Sequence, residues 1–178
     1  MKGWRVGMLG IVCLGAGAGA AASAELRAEM RLATATGSGD AVGSLTIADN
    51  PAGAAVTTSL SKLPPGLHGF HVHENGSCQP TTPSGGPPVP AGAAGGHFDP
   101  QKAAKHAGPQ GAGHLGDLPV LQVAADGSAT QNLTAPLIKD VAALRGKAVV
   151  IHAGGDNYSD QPAPLGGGGA RLACGILQ

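Results

Sequence analysis

Gly66-Leu67-His68-Gly69-Phe70-His71-Val72-His73 decides how the rest of the chain is read. In an extended strand alternate side chains share a face. His71 and His73 therefore point one way, and His68, Phe70 and Val72 the other. Phe70 and Val72 have core character, so His71 and His73 leave the sheet on its non-core side. His68 stays on the core side, where it calls for hydrogen bonds to backbone. The same period of two appears upstream, where Leu26, Ala28, Met30 and Leu32 alternate with Arg27, Glu29 and Arg31. Further strands are predicted over residues 42–47, 54–60, 67–73, 118–123, 129–134, 147–152 and 171–177. Turn residues punctuate them: Asp49-Asn50-Pro51, Pro64-Pro65-Gly66 and Asp126-Gly127. Short strands at this spacing predict an all-β antiparallel sandwich or barrel. Residues 135–145 are ambiguous, with room for a short helical turn.

Composition narrows the class. Gly (31) and Pro (14) fill about a quarter of the 178 residues, a share that brings low-complexity sequence into consideration. Apolar residues at 42% and a formal net charge of zero oppose that reading, because disorder goes with low hydrophobicity and high charge. Charged residues at 12% exclude coiled coils, long solvated helices and polybasic tracts. With no basic stripe, nucleic acid is excluded as a partner. One turn-rich domain remains, and aromatics at 2% leave its core to Val, Ile, Leu and Ala.

The first residues read as a leader. Lys2 and Arg5 precede an apolar run over residues 6–22 that ends in Ala22-Ser23-Ala24, the pattern of a secretory signal peptide. A membrane anchor is the alternative, disfavoured by the many Gly and Ala in the run. Cys13 lacks the preceding small residue of a lipoprotein signal. Cleavage after Ala24 gives a leader over 1–24 and a domain over 25–178, with no membrane association after cleavage. Loss of Lys2 and Arg5 leaves acidic residues two ahead of basic ones. Two cysteines then remain, Cys78 and Cys174. In an exported chain they read as one disulfide rather than two buried thiols. A loop of that length would contribute about 4 kcal/mol in the chain-entropy model.

Two irregular stretches carry the remaining chemistry. Residues 76–116 hold no convincing strand, and a structureless loop so long is usually functional. Residues 153–170 carry Asp156, Asp160 and four consecutive glycines. Each stretch adjoins one cysteine, so both are expected to fold back near each other. Three histidines of the first, His97, His106 and His114, with Asp117 just beyond it, make a full tetrahedral donor set for zinc, which takes nitrogen and oxygen ligands. Asp99 is expected to serve the turn at Pro100. At the end of the strand over 147–152, His152 faces away from Val149 and Ile151. Taken with His71 and His73, it supplies a third imidazole to a nitrogen-rich site of the kind that suits copper(II).

Several runs carry a resemblance: Gly69-Phe70-His71-Val72-His73-Glu74, Gly95-Gly96-His97-Phe98-Asp99-Pro100, His114-Leu115-Gly116-Asp117-Leu118-Pro119, Pro164-Leu165-Gly166-Gly167-Gly168-Gly169 and Arg171-Leu172-Ala173-Cys174-Gly175. Together they resemble copper/zinc superoxide dismutase, and Gly155-Asp156-Asn157-Tyr158-Ser159-Asp160 resembles its bacterial periplasmic branch. The resemblance runs from about Leu67 to the C-terminus. It implies a Greek-key antiparallel β-sandwich or flattened barrel, Ig-like, with two long functional loops.

It also implies one copper and one zinc ion per chain. Copper would sit on His71, His73, His97 and His152, and zinc on His97, His106, His114 and Asp117, with His97 bridging. Asp156 would accept hydrogen bonds from the far nitrogens of His71 and His106. The Cys78–Cys174 bridge would anchor the long loop to the last strand. Arg171 would hold and orient superoxide, the substrate. Copper would pass one electron from one superoxide to a second while His97 takes up and gives back a proton. The chain departs from eukaryotic members in residues 155–169, which hold no Lys or Arg. The Pro/Gly-rich insert over 80–96 resembles the bacterial form of the disulfide subloop. A homodimer is left open, and the compartment implied is the periplasm. The alternative from another class is a secreted copper/zinc binding or buffering protein without turnover, which has no need of Arg171. A third reading is a disulfide-stapled sandwich with incidental histidines.

Overall fold

The computed structural model describes residues 1, 3 and 23–178. The leader reading of Lys2, Arg5 and residues 6–22, with Trp4 and Cys13, lies outside the described residues. Among the described residues nine strands form: β1 (Glu25–Thr34), β2 (Gly37–Ala48), β3 (Ala54–Leu60), β4 (Gly66–His68), β5 (Phe70–His73), β6 (Leu121–Val123), β7 (Ala129–Ala135), β8 (Ala148–His152) and β9 (Arg171–Ile176). Three short 3₁₀ turns join them, at Gly92–Ala94, Val141–Leu144 and Pro164–Gly167. The second falls in the stretch that was ambiguous by sequence. It buries Val141 and Leu144.

Seven strands pair in the order β5-β8-β9-β1-β2-β3-β7, all antiparallel, and β4 pairs with β6 in a second small sheet. β4 leads into β5 at one edge of the large sheet, and β6 turns into β7 at the other. The small sheet therefore links the two edges of a curled antiparallel sheet. Leu26, Ala28 and Met30 on β1, Leu45 and Ile47 on β2, Val56 and Leu60 on β3 and Phe70 and Val72 on β5 all turn into one core. The period-two pattern follows because the pleat sends alternate residues to opposite faces.

Two predicted strands are corrected. The expected strand over 67–73 is broken at Gly69, so that Leu67 and His68 pair with β6 while Phe70–His73 pair with β8. Gly69 itself is held by Gly154 and His152, with its N–H on Gly154 O at 2.7 Å and its carbonyl accepting the His152 N–H at 2.8 Å. The expected strand over 118–123 shortens to Leu121–Val123. Pro119 has no N–H for a ladder, and the Val120 N–H goes to the Tyr158 hydroxyl at 3.0 Å.

The long loop over 76–116 is less irregular than its composition suggests. β5 is an edge strand, and its outer edge is occupied from both ends of this loop. Phe98 N–H bonds to Val72 O (2.9 Å), Val72 N–H to Gly116 O (2.9 Å) and Leu118 N–H to Phe70 O (3.2 Å). The disulfide Cys78–Cys174, with Cα atoms 5.7 Å apart, ties the start of the loop to β9. Around it a second apolar cluster forms from Ala91, Ala94, Ala148, Val150 and Cys174. β8 is thus covered on both faces, Val149 and Ile151 by the main core and Val150 by the loop. Among the described residues no helix is long and apolar enough to cross a membrane.

Candidate metal centre

Edge pairing assembles the histidines. His71 and His73 project from the non-core face of β5, and His152 ends β8. The segments laid against the outer edge of β5 bring His97 opposite His73 and Asp117 opposite His71 as isolated bridges. All of His71, His73, His97, His106, His114, Asp117 and His152 are buried. One donor atom from each of His71, His73, His97 and His152 lies within 4.8 Å of the others, and the same holds for His71, His97, His106 and Asp117. His114 stands slightly apart, with Nδ1 3.5 Å from Asp117 Oδ1. His68 is buried in another place. Its Nδ1 meets His152 O at 2.7 Å and its Nε2 meets Pro64 O at 2.8 Å, the backbone contacts its strand parity called for.

Outer contacts determine which nitrogen of each ring faces inward. His73 Nδ1 lies 3.0 Å from Gly95 O and His152 Nδ1 lies 3.1 Å from Gly169 O. A carbonyl only accepts, so both nitrogens carry the proton and each neutral ring turns a bare lone pair inward at Nε2. These two Nε2 atoms face each other at 3.4 Å. Two lone pairs at that distance call for a cation between them. His71 donates from Nε2 to Asp156 Oδ2 at 2.8 Å, and its Nδ1 is buried without a partner. His97 is held at Nδ1 by Asp117 Oδ1 at 2.9 Å, and its Nε2 is likewise unpartnered. Buried polar atoms are normally satisfied, so these orphans mark where ligands belong.

The other side of His97 is built around carboxylates. His106 meets Asp156 Oδ1 through Nε2 at 2.8 Å and approaches Asp117 Oδ2 through Nδ1 at 2.9 Å, the latter out of hydrogen-bonding alignment. His114 Nδ1 is a fourth buried nitrogen without a partner. The Asp156 side chain, fully buried, thus touches one ring from each group. Asp160 accepts the His106 backbone N–H at 2.9 Å. Asp99 accepts the N–H groups of Ala103 (3.0 Å) and Ala104 (2.8 Å), so it orders the turn after Pro100.

Electrostatics divide the two sides. Burial pushes His71 down to about 3, despite the Asp156 hydrogen bond. Burial, with the neighbouring His97, takes His73 to about 2, and burial takes His152 to about 4. Burial also lowers His97 against the pull of Asp117. For His106 burial is outweighed by the two carboxylates beside it, Asp117 and Asp156, which raise it to about 9. Both carboxyls lie well below the ordinary range, since their histidine partners overcome the cost of burial.

Arg171 opens β9 beside this cluster. Its Nη1 donates to Ala91 O at 2.6 Å and its Nη2 to Gly95 O. Gly95 O therefore receives both His73 and Arg171, which links a cluster histidine to the guanidinium through one carbonyl. Gly95 has φ +78, and a side chain there would collide with Glu74 and Asn75. Those two residues hold the segment. Gly96 N–H bonds to Glu74 Oε1 (3.0 Å), Glu74 N–H to Gly96 O (3.0 Å) and Asn75 N–H to Ala94 O (3.0 Å). Ala91, Gly95 and the Glu74 clamp escaped sequence reasoning, because every residue has a carbonyl and no residue type marks these acceptors.

Comparison with known proteins points one way. The family profile described as copper/zinc superoxide dismutase matches residues 41–177. A protein of Salmonella typhimurium named superoxide dismutase [Cu-Zn] 2 is 54% identical over 142 residues, which are 80% of this chain and 82% of that protein. The structure of a Cu/Zn superoxide dismutase from Brucella abortus aligns with TM-score 0.85 and 48% identity, covering 87% of this chain and all of that one. The solution structure of a monomeric copper, zinc superoxide dismutase from Salmonella enterica aligns with TM-score 0.77 and 54% identity at the same coverage.

Proposed function

The chain belongs to the copper/zinc superoxide dismutase family, and from that premise we propose how its residues divide the work. The reaction is dismutation: two superoxide ions and two protons give dioxygen and hydrogen peroxide. The observation that carries the ligand assignment is the set of buried, inward-turned histidine nitrogens without partners, which two cations would satisfy. His71 Nδ1 and the Nε2 atoms of His73, His97 and His152 would hold copper. The Nδ1 atoms of His97, His106 and His114 with Asp117 would hold zinc. Copper supplies reversible one-electron chemistry, and zinc, which does not change oxidation state, supplies fixed charge.

The chain's own residues do the rest. His97 contributes to both sides, so its Nε2 is the atom at which a proton is taken up and given back. Its Nδ1 side, where Asp117 Oδ1 lies 2.9 Å away and zinc would be held, keeps that ring in place while the proton moves. Asp156 fixes the tautomers of His71 and His106. The Arg171 guanidinium, fixed by two carbonyls and offering charge toward the cluster, binds and orients superoxide. The acidic residues outnumber the basic ones after leader removal, so attraction of the anion falls to this local field.

We further read the protein as exported to the periplasm behind a leader cut near Ala24, on the strength of residues 1–24 and of the disulfide. A single chain carries every residue of the site, and the monomeric Salmonella relative supports a chain that works without a partner subunit.

The test is superoxide consumption by copper- and zinc-loaded protein beside an Arg171→Ala variant of equal copper content. Rapid consumption that falls by about tenfold or more in the variant, the low end for losing electrostatic focusing, is expected. No consumption by a chain that holds both ions tightly would replace the enzyme with the binding protein.

A further inference from the structure

Asp160 sits four residues beyond Asp156, and its carboxylate is committed entirely to backbone. Oδ2 accepts the His106 N–H at 2.9 Å, across 54 residues of sequence, and Oδ1 accepts the Leu165 N–H at 3.1 Å. We propose that Asp160 is a positioning residue for zinc, joining the backbone of His106 to the loop that carries Asp156. The proposal deepens the zinc assignment to His97, His106, His114 and Asp117 and rests on it.

The geometry gives the reason. His106 is gripped twice by the same loop, at ring Nε2 by Asp156 and at its amide by Asp160. Either grip alone leaves a rotation free: the ring can swing about a loose backbone, or a fixed backbone can carry a turned ring. Both together keep Nδ1 beside Asp117, 2.9 Å from Oδ2. The Leu165 bond extends the hold to the next residue. Gly166 N–H bonds to Ser159 O at 3.0 Å, and Gly166 O accepts the Asn157 N–H at 3.1 Å. Gly166 has φ +73, and a side chain there would strike the Asp156 carboxylate. The loop is therefore folded around Asp156, with Asp160 closing it onto the neighbouring loop.

The experiment measures zinc and copper affinity separately by chelator competition in the full chain. It compares wild type, Asp160→Ala, Asp160→Asn and a His106→Ala control. Cobalt(II) absorption at the zinc position supplies a spectroscopic readout of ligand geometry. Asp160→Ala is expected to lose about 10- to 100-fold in zinc affinity, the scale for removing a group that orients a ligand, with copper affinity within about twofold. Asp160→Asn keeps one acceptor oxygen and should fall between, which preserves the test if the alanine variant does not fold. The cobalt spectrum should shift in both. Unchanged zinc affinity in the Asp160 variants, beside a control that has lost zinc, overturns the proposal alone. Equal losses of copper and zinc, the mark of a merely structural role, also overturn it. A control that holds zinc as tightly as wild type overturns the zinc assignment and the proposal together.

Discussion

His71, His73 and His152 stand on β5 and β8, and backbone carbonyls and one carboxylate turn their rings, whereas His106, His114 and Asp117 ride on loops and are organised by two buried carboxylates. The strand-borne side is neutral at pH 7, its histidines lowered to about 3, 2 and 4. The loop-borne side is charged, with His106 raised to about 9 between ionised Asp117 and Asp156. In a metal-free chain a proton on His106 does there what a zinc ion would do, balancing the carboxylates. Nothing plays that part between the facing Nε2 atoms of His73 and His152. The loop side is thus defined by charge and the strand side by geometry.

The largest test of that division removes the charge. Asp117→Ala deletes the carboxylate that reaches His97 and His106 at 2.9 Å and His114 at 3.5 Å. Zinc affinity should fall by more than about a hundredfold, beyond the usual cost of losing an orienting partner. Copper affinity should fall by less than about tenfold, through His97 alone. Chelator competition for each ion measures both. Equal losses would mean that the two sides are one unit and that the contrast is only apparent.

A smaller effect follows from protons. In the unfolded chain each histidine titrates near 6.5. His71, His73 and His152 have lower folded values, so between 6.5 and those values the unfolded chain binds more protons. Stability of the metal-free chain then drops as pH falls below 6.5, with a slope approaching about 1.4 kcal/mol per pH unit for each histidine. His97 adds in the same direction. His106 behaves oppositely, since its contribution is complete below 6.5 and is lost as pH rises toward about 9. The metal-free chain should be most stable near about pH 7, where the few protons still bound by the unfolded chain balance the one on His106, with an acid limb at least about three times steeper than the alkaline one. Urea denaturation from pH 4.5 to 8.5 measures it, and limbs of equal slope would contradict the neutral reading of the strand side.

What the sequence disclosed follows the same divide. Alternation along Phe70-His71-Val72-His73 is local, so the faces of these residues and the separate place of His68 could be read directly. Asp99 before Pro100 was legible as a turn former for the same reason. The break at Gly69 was not, because residues 66–73 alternate without interruption and only the identity of the partners, β6 and β8, divides them. Nor was the order within residues 76–116, which comes from hydrogen bonds onto the edge of β5 rather than from any pattern of side chains. The carbonyls of Ala91 and Gly95 and the two amides on Asp160 belong to this invisible class.

The smallest test addresses that hidden layer on the strand side. Glu74 is exposed and its carboxylate bonds to no histidine side chain, yet its Oε1 holds Gly96 N–H beside the carbonyl shared by His73 and Arg171. Glu74→Ala removes one exposed hydrogen bond to a charged acceptor, a loss of about 1.5 kcal/mol shared among the remaining contacts of Glu74 and Asn75. Those contacts, the two backbone N–H bonds and the Asn75 amide on Ala93 O at 3.2 Å, persist in the variant. The segment should loosen without detaching. Because Gly95 O serves Arg171 as well as His73, a small displacement acts on the anion site before it acts on copper retention. Azide, a small anion, should bind the copper- and zinc-loaded variant up to about threefold more weakly, the part of that loss that reaches Arg171. Zinc affinity should stay unchanged, since no contact of Glu74 reaches the carboxylate side. A loss of zinc in this variant would show that the loop over 76–116 transmits between the two sides, and the division between geometry and charge would then have to be redrawn along that loop.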